Sequence, residues 1–147
     1  MSCVFDILAK KGANVACVSE GTTVLRATEV MNSLRIGAVL IMAESGRVAG
    51  IFTERDVLRR VVVNRLDPAL TLVDDVMTTR LITCRPSDDI SSVAEVMRDQ
   101  RLRHLPVLDP DSDRPCGLIS IGDVNAIHVG EIEATASMLS EYVYGRG

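Results

Sequence analysis

The chain is poor in aromatic residues, in excess charge of either sign and in long apolar runs, and each shortage closes off a class of function. It has no tryptophan, two tyrosines and two phenylalanines. Phe5, Phe52, Tyr142 and Tyr144 are scattered and suggest no platform for stacking nucleic-acid bases. Sixteen lysines and arginines against 20 aspartates and glutamates leave a net charge of −4, without the concentrated basic surface of a nucleic-acid protein. The longest apolar run, Ile36 to Ala43, is far short of the ~20 residues that span a bilayer. The start, Met1-Ser2-Cys3-Val4-Phe5-Asp6, has no basic segment followed by an apolar one, so a cytoplasmic location is expected. Cys3, Cys17, Cys84 and Cys116 form no C-x-x-C pair and have no histidine set beside them, which predicts idle thiols and no metal. Ser-His-Asp and Cys-His arrangements, the Walker loop and the glycine-rich dinucleotide fingerprint are missing too. The expectation is a protein that is not an enzyme.

What the chain does have is a duplication. Its 147 residues, 47% hydrophobic, suffice for one core but not for two ordinary domains. Gly50-Ile51-Phe52-Thr53-Glu54-Arg55-Asp56-Val57 returns as Gly117-Leu118-Ile119-Ser120-Ile121-Gly122-Asp123-Val124. The flanks return as well: Glu29-Val30-Met31 as Glu95-Val96-Met97, Arg35 as Arg101, and Val73-Asp74-Asp75-Val76-Met77 answers Val4-Phe5-Asp6-Ile7-Leu8. Apolar residues fall at three- and four-residue steps over Val24, Ala27, Thr28, Met31 and Leu34, and again over Ile90, Val93, Ala94 and Met97, which predicts two helices. Extended segments flank each one, the first being Val15-Ala16-Cys17-Val18 and its counterpart Leu81-Ile82-Thr83-Cys84. The unit reads β-α-β-β-α, at an offset of about 66 residues. A three-stranded sheet this small cannot cover both its faces, so the copies should pack sheet against sheet in a pseudo-twofold α+β fold.

The expected organisation is a helix and lead-in over 1–14, repeat 1 over 15–63, a linker over 64–72, repeat 2 over 73–130, and a helical tail over 131–147. In the tail Ile132, Thr135, Ala136, Leu139 and Val143 form one stripe, with Met138 and Tyr142 beside it. Such a stripe needs a cover, and a homodimer is expected.

Thr53-x-x-Asp56 and Ser120-x-x-Asp123 fit the capping-box template, in which a hydroxyl and an acid three residues on close a helix N-terminus. Taken alone, each copy is a structural cap. The glycine ahead of each hydroxyl, Gly50 and Gly117, adds a place where a ligand can approach the backbone. A helix N-terminus also offers N–H groups to a phosphate. The aspartate would repel that phosphate but accept hydrogen bonds from ribose hydroxyls, while Arg55, Arg103 and His104 supply positive charge.

With Arg-His-Leu-Pro-Val-Leu-Asp in the second copy, these phrases resemble a tandem cystathionine-β-synthase (CBS) domain pair, or Bateman module, of the small bacterial type. The resemblance covers roughly residues 4–130. It implies clefts between the copies that bind AMP, ADP, ATP, S-adenosylmethionine or NAD(H), and pairs that dimerise into a disc. Carried over by position, the hydroxyl and the ribose-binding acid fall on Thr53 and Asp56 in one site and on Ser120 and Asp123 in the other. The basic pair falls on Arg103 and His104. Its counterparts Gly37 and Ala38 carry no charge and leave room for an adenine, so the two sites should be unequal. The resulting reading is a non-catalytic sensor of an adenine nucleotide. The alternative is an interaction module that docks on a partner enzyme through its C-terminal helix, without sensing a ligand.

Overall fold

The computed structural model describes residues 2–12 and 14–144, of which 140–144 as backbone alone. Helix α1 (Val4–Lys11) leads to β1 (Cys17–Ser19), α2 (Val24–Leu34), β2 (Ala38–Met42) and β3 (Val48–Thr53). A single turn, α3 (Glu54–Asp56), then widens into a π-helical stretch over Val57–Val62. The second copy runs α4 (Val73–Val76), α5 (Ile90–Gln100), β4 (His104–Leu108), β5 (Pro115–Ser120) and α6 (Ile121–Tyr144). None of the described helices is long and apolar enough to cross a membrane.

β2 pairs parallel with β1 and antiparallel with β3, and β4 pairs antiparallel with β5. The expected third strand at Leu81–Cys84 shrinks to one parallel bridge between Cys84 and Val107. That bridge uses the Cys84 N–H to the Pro106 carbonyl and the Leu108 N–H to the Cys84 carbonyl, at 3.0 and 2.9 Å. Pro106 accepts without having to donate, and Pro86, two residues beyond Cys84, has no N–H to extend the ladder.

The alternation of β2 builds two cores at once. Val39 and Ile41 face α2, where they join Val24, Ala27, Met31 and Phe52. Ala38 and Leu40 face the other way and meet Ile51 and Leu118 across the line between the copies. The sheets therefore pack against each other, as the duplication requires. Of the predicted helix stripes, Val24, Ala27 and Met31, and Ile90, Val93 and Met97, are buried, but Leu34 at the end of α2 is exposed.

The lead-in helices are exchanged. Val4 and Ile7 of α1 are buried in the core of the second copy, beside Ile90, Val93 and Met97. Val73 and Val76 of α4 are buried in the core of the first. A fully buried valine or isoleucine contributes roughly 1.5–3 kcal/mol, enough to hold each short helix in place. Matching backbone bonds tie the exchange: Val24 N–H to Thr71 O and Val73 N–H to Thr22 O in one half, Ile90 N–H to Ser2 O and Val4 N–H to Asp88 O in the other. The same set made twice with the copies swapped is the twofold relation itself. It brings the ends of the two phrases to the seam between the copies.

Candidate functional site

Each phrase ends a strand with a hydroxyl and begins a helix with an acid. The Asp56 N–H donates to Thr53 Oγ1 at 3.3 Å, and the Thr53 N–H donates to Asp56 Oδ2 at 3.0 Å. The second copy repeats the box, with 3.1 Å from the Asp123 N–H to Ser120 Oγ and 2.8 Å from the Ser120 N–H to Asp123 Oδ2. Two further amides are spent at these ends, Glu54 N–H on Gly37 O and Ile121 N–H on Arg103 O. The helix termini therefore offer less to a phosphate than the sequence suggests, because capping and strand contacts already use those N–H groups.

Two clefts open along the seam. The first, about 280 Å³, is walled by Thr53, Arg55 and Asp56 from one copy and by Arg101, Arg103 and His104 from the other. Gly37, Ile51, Glu54, Arg59, Arg60, Thr78 and Leu102 complete it. The second, about 230 Å³, is walled by Gly37, Ala38, Arg35, Leu118, Ser120 and Lys11. Each cleft thus takes its hydroxyl from one copy and its strand lead-in from the other. The basic lead-in Arg103-His104 faces Thr53 and Asp56, the uncharged lead-in Gly37-Ala38 faces Ser120, and Gly37 and His104 border both clefts. Asp123 is not among the residues lining the second cleft.

The two acids differ in their surroundings. Asp56 is 7% exposed. Its Oδ1 accepts from the Thr78 hydroxyl at 3.3 Å and lies 3.7 Å from Arg60 Nε, while Oδ2 also takes the Thr53 hydroxyl at 3.3 Å. Asp123 Oδ2 accepts from Lys11 Nζ at 2.8 Å, and that ammonium also donates to the Leu118 carbonyl at 2.8 Å. Burial alone would raise the Asp123 pKa, but the Lys11 hydrogen bond and the Ser120 N–H outweigh it and hold the carboxyl below its ordinary value.

His104 borders both clefts. Burial, then the charge of Lys11, lowers its pKa against the opposing pull of Glu54 and Asp123. That shift favours the uncharged ring over the imidazolium.

Gly50 and Gly117 do not open the backbone to a ligand. A Cβ on Gly50 would lie 2.6 Å from Met77 Sδ and 2.9 Å from the Thr78 carbonyl, and one on Gly117 would lie 2.5 Å from Leu8 Cδ2. Both glycines make room for the exchanged lead-in segments.

Sequence reasoning missed Lys11, Arg35, Arg59, Arg60 and Arg101 as cleft residues. Arg35 and Arg101 had a signal, since they align between the copies. Each ends its helix in the left-handed region, at φ 55 and 54, where glycine is the usual occupant. Arg59 and Arg60 gave little signal, because adjacent arginines on a helix are ordinarily a solvated face. Lys11 gave no local signal, because it reaches Asp123 from 112 residues away. Arg55 donates to the Arg101 carbonyl at 3.4 Å, a contact between the copies. Among the described residues no cluster of three or more histidine, cysteine, aspartate or glutamate side chains is placed to hold a metal ion.

An α+β unit used twice, with two clefts at the seam between its copies, defines a tandem-repeat module. Residues 4–63 and 73–127 each match the CBS domain family, and the chain belongs to it. It is 32% identical to the CBS domain-containing protein CBSX3, mitochondrial, of Arabidopsis thaliana, over 97% of this chain and 72% of that one. The crystal structure of a CBS-domain containing protein from Agrobacterium tumefaciens superposes with a TM-score of 0.81 at 32% identity, over 86% of this chain and 99% of that one. Two more distant structures share the fold. A CBS domain protein from Pyrobaculum aerophilum, complexed with AMP, is 24% identical with a TM-score of 0.74, over 83% of this chain and 89% of that one. The CBS domain pair of protein MJ0100, in complex with 5′-methylthioadenosine and S-adenosyl-L-methionine, is 22% identical with a TM-score of 0.78, over 89% and 98%. Some curated relatives are far longer, and the chain spans 19% of the length of CBSCBSPB2 of Arabidopsis thaliana.

Proposed function

We propose that the chain is a non-catalytic regulatory module that binds an adenosine-containing nucleotide (AMP, ADP, ATP or NAD(H)) in the clefts between its CBS repeats. The observation that carries this reading is the first cleft. There a nearly buried carboxylate, Asp56, stands beside two hydroxyls, Thr53 and Thr78, and opposite Arg101 and Arg103 of the other copy. In this reading Asp56 accepts the ribose hydroxyls, for which the two 3.3 Å hydroxyl contacts give way, and the arginines meet phosphate. Gly37 and Ala38, without bulky side chains, leave an adenine room at the seam. The adenosine ligands of the Pyrobaculum protein and of MJ0100 support the ligand class. Cytoplasmic placement belongs to the same proposal.

Isothermal titration with AMP, ADP, ATP, S-adenosylmethionine and NADH tests it. Saturable heat from at least one ligand, lost in Asp56→Asn, is expected. Silence from all five at millimolar concentration refutes the sensor, and turnover of NADH by the pure protein refutes its non-catalytic character.

The module is also proposed to be a homodimer joined through α6. Val129, Ile132, Met138 and Leu139 are more than half exposed on that helix, and a stripe of this kind is stabilised by cover. The side chains of Tyr142 and Val143, which the sequence adds to the stripe, lie outside the described residues. Light scattering should give twice the 15.9 kDa of the chain, falling to the monomer in Ile132→Glu/Leu139→Glu. A monomeric wild type that captures a partner enzyme through α6 would favour the docking alternative.

A further inference from the structure

The first cleft does not end at Asp56. It runs into an open groove of about 870 Å³ between α5, the start of α6 and the π-helical turn. The two share Arg55, Arg59, Arg101 and Arg103, and the groove adds Arg98. No aspartate or glutamate lines this groove, in a chain whose net charge is −4. Among the described residues none of the five arginines forms a salt bridge. The carboxyl end of α5 accounts for part of the clustering, since its dipole favours Arg98 and Arg101 and the carbonyl of its cap residue Arg101 accepts from Arg55. It accounts for neither Arg59 nor Arg103, and it does not explain an arginine held at φ 54 in Arg101.

We propose that this groove is a polyphosphate subsite, which makes the first cleft selective for an adenosine di- or triphosphate over AMP, 5′-methylthioadenosine or S-adenosylmethionine. The inference rests on the adenosine reading of that cleft. In this reading a single phosphate next to the ribose meets the arginines of the first cleft, and Arg98, which lines the groove but not that cleft, is left for a chain of two or three phosphates. Guanidinium groups bind phosphate oxygens in paired, charge-assisted contacts. A sulfonium ligand would bring a positive charge into a row of five others.

The test is isothermal titration of the full chain with magnesium-free ATP, AMP and 5′-methylthioadenosine, at low and high salt, repeated with Arg98→Ala. Arg98 is exposed and lines only the groove, so the variant is expected to melt like wild type. ATP should bind roughly tenfold or more tightly than AMP, and the gap should narrow with salt. Arg98→Ala should weaken ATP roughly three- to fivefold and leave AMP as it was. Inorganic tripolyphosphate should compete with ATP. Equal affinity for AMP and ATP, an equal effect of Arg98→Ala on both, or no competition by tripolyphosphate overturns the subsite while the adenosine reading stands. If none of the adenosine ligands binds, the adenosine reading fails and the subsite falls with it.

Discussion

Lys11 Nζ stands 2.8 Å from Asp123 Oδ2 and ties the exchanged helix α1 to the second phrase. The cleft that looks like a copy of the first is therefore already supplied with a cation. A ribose seeking Asp123 has to compete with an ammonium at 2.8 Å, whereas at Asp56 it competes with two 3.3 Å hydroxyl contacts and the more distant Arg60 guanidinium at 3.7 Å.

That ion pair predicts a pH dependence. The Asp123 carboxyl is held below its ordinary value, so its contribution to stability is complete above the usual aspartate range and is lost as pH falls through the folded value. Lys11→Met should cost up to about 1 kcal/mol at pH 7, a modest figure because the side chains are 39% and 25% exposed and solvent screens them. Urea unfolding at neutral and at strongly acidic pH should show the wild-type advantage vanishing in acid.

The glycines of the two phrases should answer differently to alanine. At Gly50 the new methyl meets the backbone carbonyl of Thr78 as well as Met77, and at Gly117 it meets only the tip of Leu8. Gly50→Ala is expected to destabilise by about 1–3 kcal/mol and Gly117→Ala by clearly less, with Leu8→Ala partly relieving the latter. Denaturant midpoints of the three variants check this.

Arg101 should show a trade between stability and binding. A non-glycine residue in the left-handed region costs about 1–2 kcal/mol, part of which glycine returns in unfolded-state entropy. Arg101→Gly should therefore melt no lower than wild type while losing nucleotide affinity. A variant that loses stability and keeps affinity would make Arg101 a structural residue.

The thiols should separate by reactivity. Burial, then the nearby negative charge of Asp88, pushes the Cys84 thiol up to about 12, while Cys17 is exposed. A thiol reagent at mildly alkaline pH should label Cys17 quickly and Cys84 only on unfolding. Mass spectrometry of the labelled peptides reads the order.

The sequence made the repeat and the α+β unit legible because those signals are local and occur twice. Helix periods, Thr53 and Ser120 as caps, and the inequality of Arg103-His104 and Gly37-Ala38 could all be read along the chain. What stayed hidden depends on distant contact. The exchange of α1 and α4 sets the purpose of Gly50 and Gly117, delivers Lys11 to Asp123, and cannot be inferred from spacing. The lead-in of one copy faces the phrase of the other, so the partners of Thr53 and Asp56 lie about 50 residues along the chain. The lowering of the His104 pKa comes first from burial, which the residue's polar neighbour Arg103 does not announce along the chain. The repeat makes Leu81–Cys84 the counterpart of the strand at Val15–Val18, and Pro86 and Pro106 limit it to a bridge.

The most direct test of the central claim is amide NMR mapping with a titrated adenine nucleotide, because it asks where the ligand sits as well as whether it binds. ATP should shift the amides of Gly37, Thr53 to Asp56, Thr78 and Arg101 to His104, with smaller changes around Ser120. Shifts confined to α6, or none at saturating ATP and AMP, would contradict the assignment of the first cleft as a nucleotide site.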